Sequence, residues 1–546
     1  MDRKNSRLVV LLPVLFAGAV VLGILIGRYY KSRQPEDMFY IYPRTDKLTN
    51  VTNYITREYV DPISKDELIE RTIPKILGDL DPHSQYLPAK DLLSVSEPLE
   101  GNFSGIGVQF NMLDDTLIVL KTIANGPSEK IGIVAGDRIL IVDGDTVAGK
   151  GVPSDSIVKM LKGPKGTQVN VGIQRRDVDD IIYFTITRDN IPLYSMDIAY
   201  MIRPGIGYIK LNNFSRTTFE EFSGGVARLL GQGMESLILD LRSNGGGYLD
   251  PAVRIADQFL DEGELIVYTE GNARPRQEYR ATKEGLCKDI DLAILIDEGT
   301  ASASEILAGA LQDNDKGIII GRRSFGKGLV QEQNIFPDGS AIRLTIARYY
   351  TPTGRCIQKP YKNGDDEDYY LELSNRFLHG EFTEVDSIHF NDSLKYTTPG
   401  GKVVYGGGGI MPDIFIPIDT SDVTDYLVDV RNRGLIYSFS LQFSDQHRKE
   451  MEKMTNLEEI NAYLDRKNVL NAFVRFAASN KVPANPKEIK ISLDILKTQL
   501  YAYIARNMLD NEGFYPSIEK IDNTLQKAIA VLSDKQVEYT SKKTSE

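Results

Sequence analysis

The chain has 546 residues and a formal net charge of −12. That length exceeds one ordinary domain, and the acidic balance argues against bulk binding to nucleic acid. Two cysteines, Cys287 and Cys356, give no disulfide framework; neither they nor the four scattered histidines fall in a metal-ligand spacing, so no metal or organic cofactor is implied.

In chain order, Leu8 to Gly27 is an apolar run without a charge, long enough for one bilayer crossing. Arg3, Lys4 and Arg7 precede it, and Arg28, Lys31 and Arg33 follow, so charge alone does not set its orientation. No small-x-small cleavage site follows, which favours an uncleaved membrane anchor over residues 1–33. Residues 34–97 read as amphipathic helices broken at Asp61-Pro62 and Asp81-Pro82, with His83 as a turn residue. Residues 98–190 carry short β-runs (TLIVLKTI, DRILIVDG, TQVNVGIQR, IIYFTITR) and one helix, SDSIVKMLKG. Near their start stands Gly105-Ile106-Gly107-Val108, either a tight turn or a loop whose successive N–H groups could receive a carboxylate.

Residues 191–419 alternate strand and helix, which predicts an α/β core. SLILDLRSNGGGYLD is a buried strand entering a glycine-rich turn. A phosphate-cradling loop is the rival there, but neither a dinucleotide fingerprint nor a P-loop lysine accompanies it. Residues 360–400 are acidic and read as a solvated surface insertion. Residues 420–546 read as a helical extension without chemistry, and the tail VEYTSKKTSE as disordered.

The richest stretch is Thr300 to Gln331. Ser302 and Ser304 precede a helical pattern, Asp313-Asn314-Asp315 ends it, and an extended run leads to Lys327 between Gly326 and Gly328. A serine at a helix start is ordinarily an N-cap, and a lysine between glycines a solvated turn. The same residues suit a serine nucleophile served by a lysine that burial keeps neutral. Free N–H groups at the helix start suit a developing oxyanion. In a regular strand Lys327, Leu329 and Gln331 would share one face, letting Gln331 hold the amine.

TASASEILAGALQD followed by GRRSFGKGLVQ resembles the carboxyl-terminal processing peptidases, or tail-specific proteases: Ser/Lys endopeptidases with an inserted PDZ domain. The resemblance covers about residues 40–418 and implies Ser302 as nucleophile, Lys327 as base and Gln331 as the residue orienting the lysine. DLRSNGGG resembles the family's second signature, which implies an oxyanion hole from Gly246 or Gly247 together with Ala303. Gly105, Ile106, Gly107 and Val108, with GPSEKIGIVAGDRILIVDG, resemble a PDZ peptide-binding loop. The expected architecture is therefore a crotonase-like α/β core with an inserted PDZ domain, an N-terminal transmembrane helix and a helical C-terminal extension. The expected activity is cleavage of proteins with apolar C-termini on the extracytoplasmic (periplasmic) side, with a homo-oligomer as one option for the extension. A catalytically silent PDZ scaffold is the rival reading. A crotonase-like enzyme acting on a thioester is a third, and it leaves the PDZ segment unexplained.

Overall fold

The computed structural model describes residues 5–31, 46–364, 366–389 and 391–543. Residues up to Ile73 form a unit of their own. It holds the helices Asn5–Lys31 and Lys47–Glu58, the latter capped by Asp46, which accepts the Thr49 N–H at 2.8 Å. Among the described residues no helix is long and apolar enough to cross a membrane, against the span expected over Leu8–Gly27. Side chains 8–12 lie outside the described residues.

The second unit is built on a six-stranded sheet in the order Met196–Arg203, Ile206–Leu211, Ser236–Asp240, Asp291–Ile296, Ile318–Gly321, Ile414–Phe415. The first pair is antiparallel and the rest are parallel. Strand alternation sorts its residues between two cores. Ile209, Leu211, Leu237, Leu239, Ile294 and Ile296 pack with the helices Thr218–Gly231, Leu249–Asp257 and Ala303–Asp313. Tyr208, Ile238, Ala293 and Leu295 face the other way, where Leu525, Ala528, Ile529 and Leu532 of the last helix, Asn523–Lys543, cover them. The extension thus supplies a layer of this core. Its backbone stays helical to Lys543, through most of the tail expected to be disordered.

A second, five-stranded antiparallel sheet joins Gln85–Leu87, Ala341–Tyr350, Leu265–Gly271 and Arg274–Arg280, with Leu329–Ile335 also paired to Ala341–Tyr350. The strands Asn102–Gly105 and Asp189–Pro192 pair to close off residues between them, which fold as an antiparallel sheet with a core of its own around Leu117, Ile139, Ile157 and Val171. The helix Leu435–Met451 of the extension touches that sheet: Asp445 pairs with Arg138 at 2.8 Å and Arg176 at 3.1 Å, and Lys449 with Asp177. The acidic stretch 360–400 differs from the solvated loop expected. It contains the helix Asp366–Leu378, whose Tyr369 and Arg376 are buried because they fall on one face of that helix.

Candidate active site

Ser302 stands at the N-cap of the helix Ala303–Asp313 with φ 56° and ψ −116°, a left-handed backbone that turns the chain sharply from loop into helix. Ser302 and Glu305 stand in the reciprocal arrangement of a capping box. Glu305, three residues on, accepts the Ser302 N–H at 2.8 Å. Glu305 is fully buried and also accepts the Ser324 hydroxyl (2.5 Å), the Gly326 N–H (2.8 Å) and the Lys327 N–H (2.8 Å). One carboxylate therefore ties the serine turn to the lysine turn. Burial pushes its pKa up to about 7 against the pull of these donors.

Tyr349, buried on the strand Ala341–Tyr350, makes a second tie. Its hydroxyl lies 2.5 Å from the Lys327 carbonyl and 3.1 Å from the Ser302 carbonyl. The Lys327 amine donates to Gln331 Oε1 at 3.1 Å, and Gln331 Nε2 donates to the His83 carbonyl. The regular-strand expectation fails in detail. Lys327 precedes the strand Leu329–Ile335, and a register shift at Val330–Gln331 redirects Gln331, so Leu329 is buried while Gln331 is half-exposed. Burial lowers the Lys327 pKa, and the nearby positive charge of Arg343 lowers it further.

His83 is more than a turn residue. Asp81 accepts the N–H groups of His83 and Ser84, both at 2.9 Å, and the Thr345 hydroxyl at 3.0 Å. This pins the DPHSQYL run to the strand that carries Tyr349. The His83 ring meets the Tyr369 hydroxyl at 2.9 Å, and burial together with Lys327 lowers its pKa to about 4, so it is neutral near pH 7.

The glycine turn after Asp240 lies against the serine. A Cβ on Gly246 would stand 2.8 Å from the Ser302 Cβ and 2.9 Å from the Ala303 nitrogen, and φ at Gly246 is 95°, so only glycine fits. The Gly246 N–H is held by Asn244 Oδ1 at 2.9 Å. Neither the Gly247 N–H nor the Ala303 N–H has a partner among the described residues. Asn244 also receives the Ala301 N–H (3.0 Å) and the Ser304 hydroxyl (2.9 Å) on its carbonyl, so Ser304 fastens the turn. Gly105, Ile106, Gly107 and Val108 belong to the separate core of residues 102–192. Ile106 is buried within that core, its carbonyl held by Ser128, and the N–H groups of Ile106 and Gly107 are free among the described residues. Val108 opens an edge strand, Val108–Leu113.

This arrangement can be set beside known proteins. Residues 205–369 match peptidase family S41, residues 104–185 the PDZ domain, and residues 426–510 a family of unknown function. The carboxy-terminal-processing protease of Bartonella bacilliformis is 33% identical over 321 residues, 58% of this chain and 73% of that protein. The chain belongs to the carboxy-terminal processing proteases of peptidase family S41. The carboxy-terminal processing protease CtpA of Bacillus subtilis is 31% identical over 387 residues, 68% of this chain and 80% of the relative. A probable CtpA-like serine protease of Staphylococcus epidermidis is 34% identical, with 62% of its length covered. Among solved structures, the photosystem II D1 C-terminal processing protease is 26% identical, covers 68% of this chain and 92% of its own, and has a TM-score of 0.34. A PDZ domain of a carboxy-terminal protease from Vibrio cholerae, solved in complex with peptide, is 34% identical over 17% of this chain and 99% of its own, with a TM-score of 0.16. As a carboxy-terminal processing protease, the chain is a serine-type peptidase carrying a PDZ domain. Of the residues gathered around Ser302, sequence reasoning missed Glu305, Tyr349 and His83. Only Glu305 left a local signal, the S-x-x-E spacing of a capping box from Ser302.

Proposed function

We propose that Ser302 is the nucleophile, Lys327 its general base and Gln331 the residue that orients the amine. The observation that carries this reading is the shared frame: Glu305 takes the N–H groups of both Ser302 and Lys327, and the Tyr349 hydroxyl lies between their carbonyls. Ser302 Oγ attacks the scissile carbonyl while Lys327 Nζ, neutral at the outset, takes its proton. The oxyanion receives the N–H groups of Ala303 and Gly247, the Gly246 N–H being committed to Asn244. Collapse expels the amine, which takes the proton from Lys327. Water, deprotonated by the same lysine, then hydrolyses the acyl-enzyme. The Ser302–Lys327 contact closes when substrate is bound, as catalytic hydrogen bonds commonly tighten in the complex. Ser302→Ala and Lys327→Ala should each abolish cleavage of a casein or peptide substrate, while Ser304→Ala keeps a measurable fraction. Near-wild-type turnover by Ser302→Ala would overturn the reading.

The PDZ loop at Gly105–Val108 is read as the receiver of a substrate's terminal carboxylate on the free N–H groups of Ile106 and Gly107, with the peptide added along Val108–Leu113. Apolar terminal residues suit it, since the loop has no charged side chain. Calorimetry of Ser302→Ala chain with free and amidated peptides tests this. Amidation should weaken binding about tenfold, the equivalent of ~1.4 kcal/mol. The strand–helix alternation and the oxyanion turn support a crotonase-like core. The resemblance to the tail-specific proteases supports an extracytoplasmic site.

A further inference from the structure

The glycine turn hangs from Arg242. Its own N–H is accepted by Asp240 Oδ1 at 2.9 Å, and its carbonyl accepts from the Lys210 amine. Ser243 follows with φ 57°, its N–H held by Asp297 at 2.7 Å. Asn244 comes next, with the Gly246 N–H on its side chain and the Ala301 N–H and Ser304 hydroxyl on its carbonyl. A movement of Arg242 is therefore passed within two residues to the atoms that set both sides of the oxyanion hole.

The Arg242 guanidinium is shared by two carboxylates. One is Asp240, the last residue of the strand before it. The other is Asp522, 280 residues later, which takes Nη1 at 2.8 Å and Nη2 at 2.7 Å in a two-pronged pair. Asp522 lies just before the last helix, and its Oδ1 also caps that helix through the Leu525 N–H at 3.0 Å. It lies outside the stretches matched to the peptidase family, the PDZ domain and the family of unknown function. Another ion pair joins the extension to the edge strand of this sheet: Glu519 accepts from Arg203 at 3.1 Å and from the Tyr200 hydroxyl at 3.2 Å, and neither partner hydrogen-bonds to the glycine turn.

We infer that Asp522 is a positioning residue for the oxyanion turn: by gripping the Nη1 and Nη2 prongs of Arg242 it holds the Gly247 and Ala303 N–H groups in line for the tetrahedral intermediate. The inference rests on reading those two groups as the oxyanion donors. It makes the C-terminal extension a part of the catalytic apparatus, through a bidentate pair whose geometry a neutral side chain does not reproduce.

The test compares Asp522→Asn with Glu519→Gln in the full chain, on a peptide substrate with an apolar free C-terminus. Asn keeps an oxygen for the helix cap, since Asn and Asp cap about equally well, and loses the second acceptor and the charge. The expected result is a fall in kcat of about tenfold with KM within about twofold, and a parallel fall in the rate at which a serine-reactive phosphonate labels Ser302. Glu519→Gln, which loosens the same extension, should leave kcat within about twofold. Asp522→Glu should recover part of kcat. An unchanged kcat in Asp522→Asn, or equal losses in Asp522→Asn and Glu519→Gln, would overturn the inference, since the extension would then act only as scaffold. If Asp522→Asn does not fold, Asp522→Ser, which still caps the helix, carries the same expectations. Ser302→Ala run beside these variants separates the two failures: residual wild-type activity there would refute the site itself, whereas an inactive Ser302→Ala with an unaffected Asp522→Asn refutes only the role of Asp522.

Discussion

The two sides of the catalytic cleft are each built over a buried carboxylate, and the two carboxylates are held in opposite ways. Glu305, under the serine and lysine turns, meets only neutral donors, and burial drives its pKa up to about 7. For Asp240, under the glycine turn, burial pulls the same way, but the charges of Arg242 and Lys210 outweigh it and hold the group far below the ordinary carboxylate range. The difference teaches where the charge of this site is kept. A full ion pair is placed beneath the part that must stay rigid. The part that handles a proton on the proposed reading is framed with neutral donors, so Lys327 sees a smaller counter-charge and can lose its proton.

The comparison breaks hardest at Glu305. Glu305→Gln leaves one acceptor oxygen for four donors and turns an N–H₂ toward the rest, displacing the Ser302 or Lys327 turn. Turnover should fall about 100-fold, the scale expected for a misplacement of about 1 Å. The pH dependence carries its own sign. A carboxyl raised from 4.5 to about 7 favours the folded state below its unfolded pKa, and that contribution is lost as pH rises through about 7. Melting curves of Glu305→Gln should therefore lack the decline that the wild type shows between those values.

Asp240→Asn is the mirror experiment. It leaves Arg242 and the Lys210 amine with one buried countercharge fewer and should destabilise the fold by about 3 kcal/mol in urea unfolding. Because the native pKa is depressed, the stability Asp240 contributes is present above its unfolded pKa of 3.8 and lost as pH falls below it. The acid limb of unfolding should be shallower in the variant. Wild-type and variant acid limbs that coincide would show that Asp240 is not the group so held.

How much of this was legible in the sequence depends on distance along the chain. Ser302, Lys327 and Gln331 sit within one stretch, so a family resemblance found them together. Glu305 was legible in principle as the fourth residue of a capping box beginning at Ser302, but its reach to Ser324, Gly326 and Lys327 is a tertiary fact. His83, just before the strand Gln85–Leu87, and Tyr349, on the strand Ala341–Tyr350, come together through the pairing of those strands, which no local pattern encodes. The α/β alternation was readable because strands and helices differ in apolar period. The role of the last helix was not, since its apolar residues say that it packs and not on what. The proposed preference for Gly247 over Gly246 also needed the Asn244 side chain in place.

A finer test of the proton-handling side is Arg343→Gln. Burial is the larger cause of the depressed Lys327 pKa, and the Arg343 charge is next. Removing that charge should shift the basic-form limb of kcat/KM to higher pH, with a several-fold loss near neutrality and recovery at alkaline pH. A limb that stays in place would count against Lys327 as the titrating base.

The smallest effect is expected away from the cleft, where the helix Leu435–Met451 meets the PDZ sheet. Asp445 pairs there with Arg138 and Arg176, both partly exposed. Asp445→Asn should cost about 1 kcal/mol or less in stability, and the difference from wild type should shrink as salt is added. A loss that persists in high salt would mean that this contact is held by packing instead.

The backbone of Ser302 has a consequence of another kind. With φ 56° and ψ −116°, it occupies a conformation that glycine adopts freely and that strains any residue with a Cβ by roughly 1–3 kcal/mol. With Ser302 as the proposed nucleophile, a chain with glycine at this position would be relieved of that strain and cleave nothing. For this protein the loss of its chemistry is thus downhill in folding free energy, and descendants freed from the demand to cut would drift toward sturdier, silent forms that keep the PDZ domain.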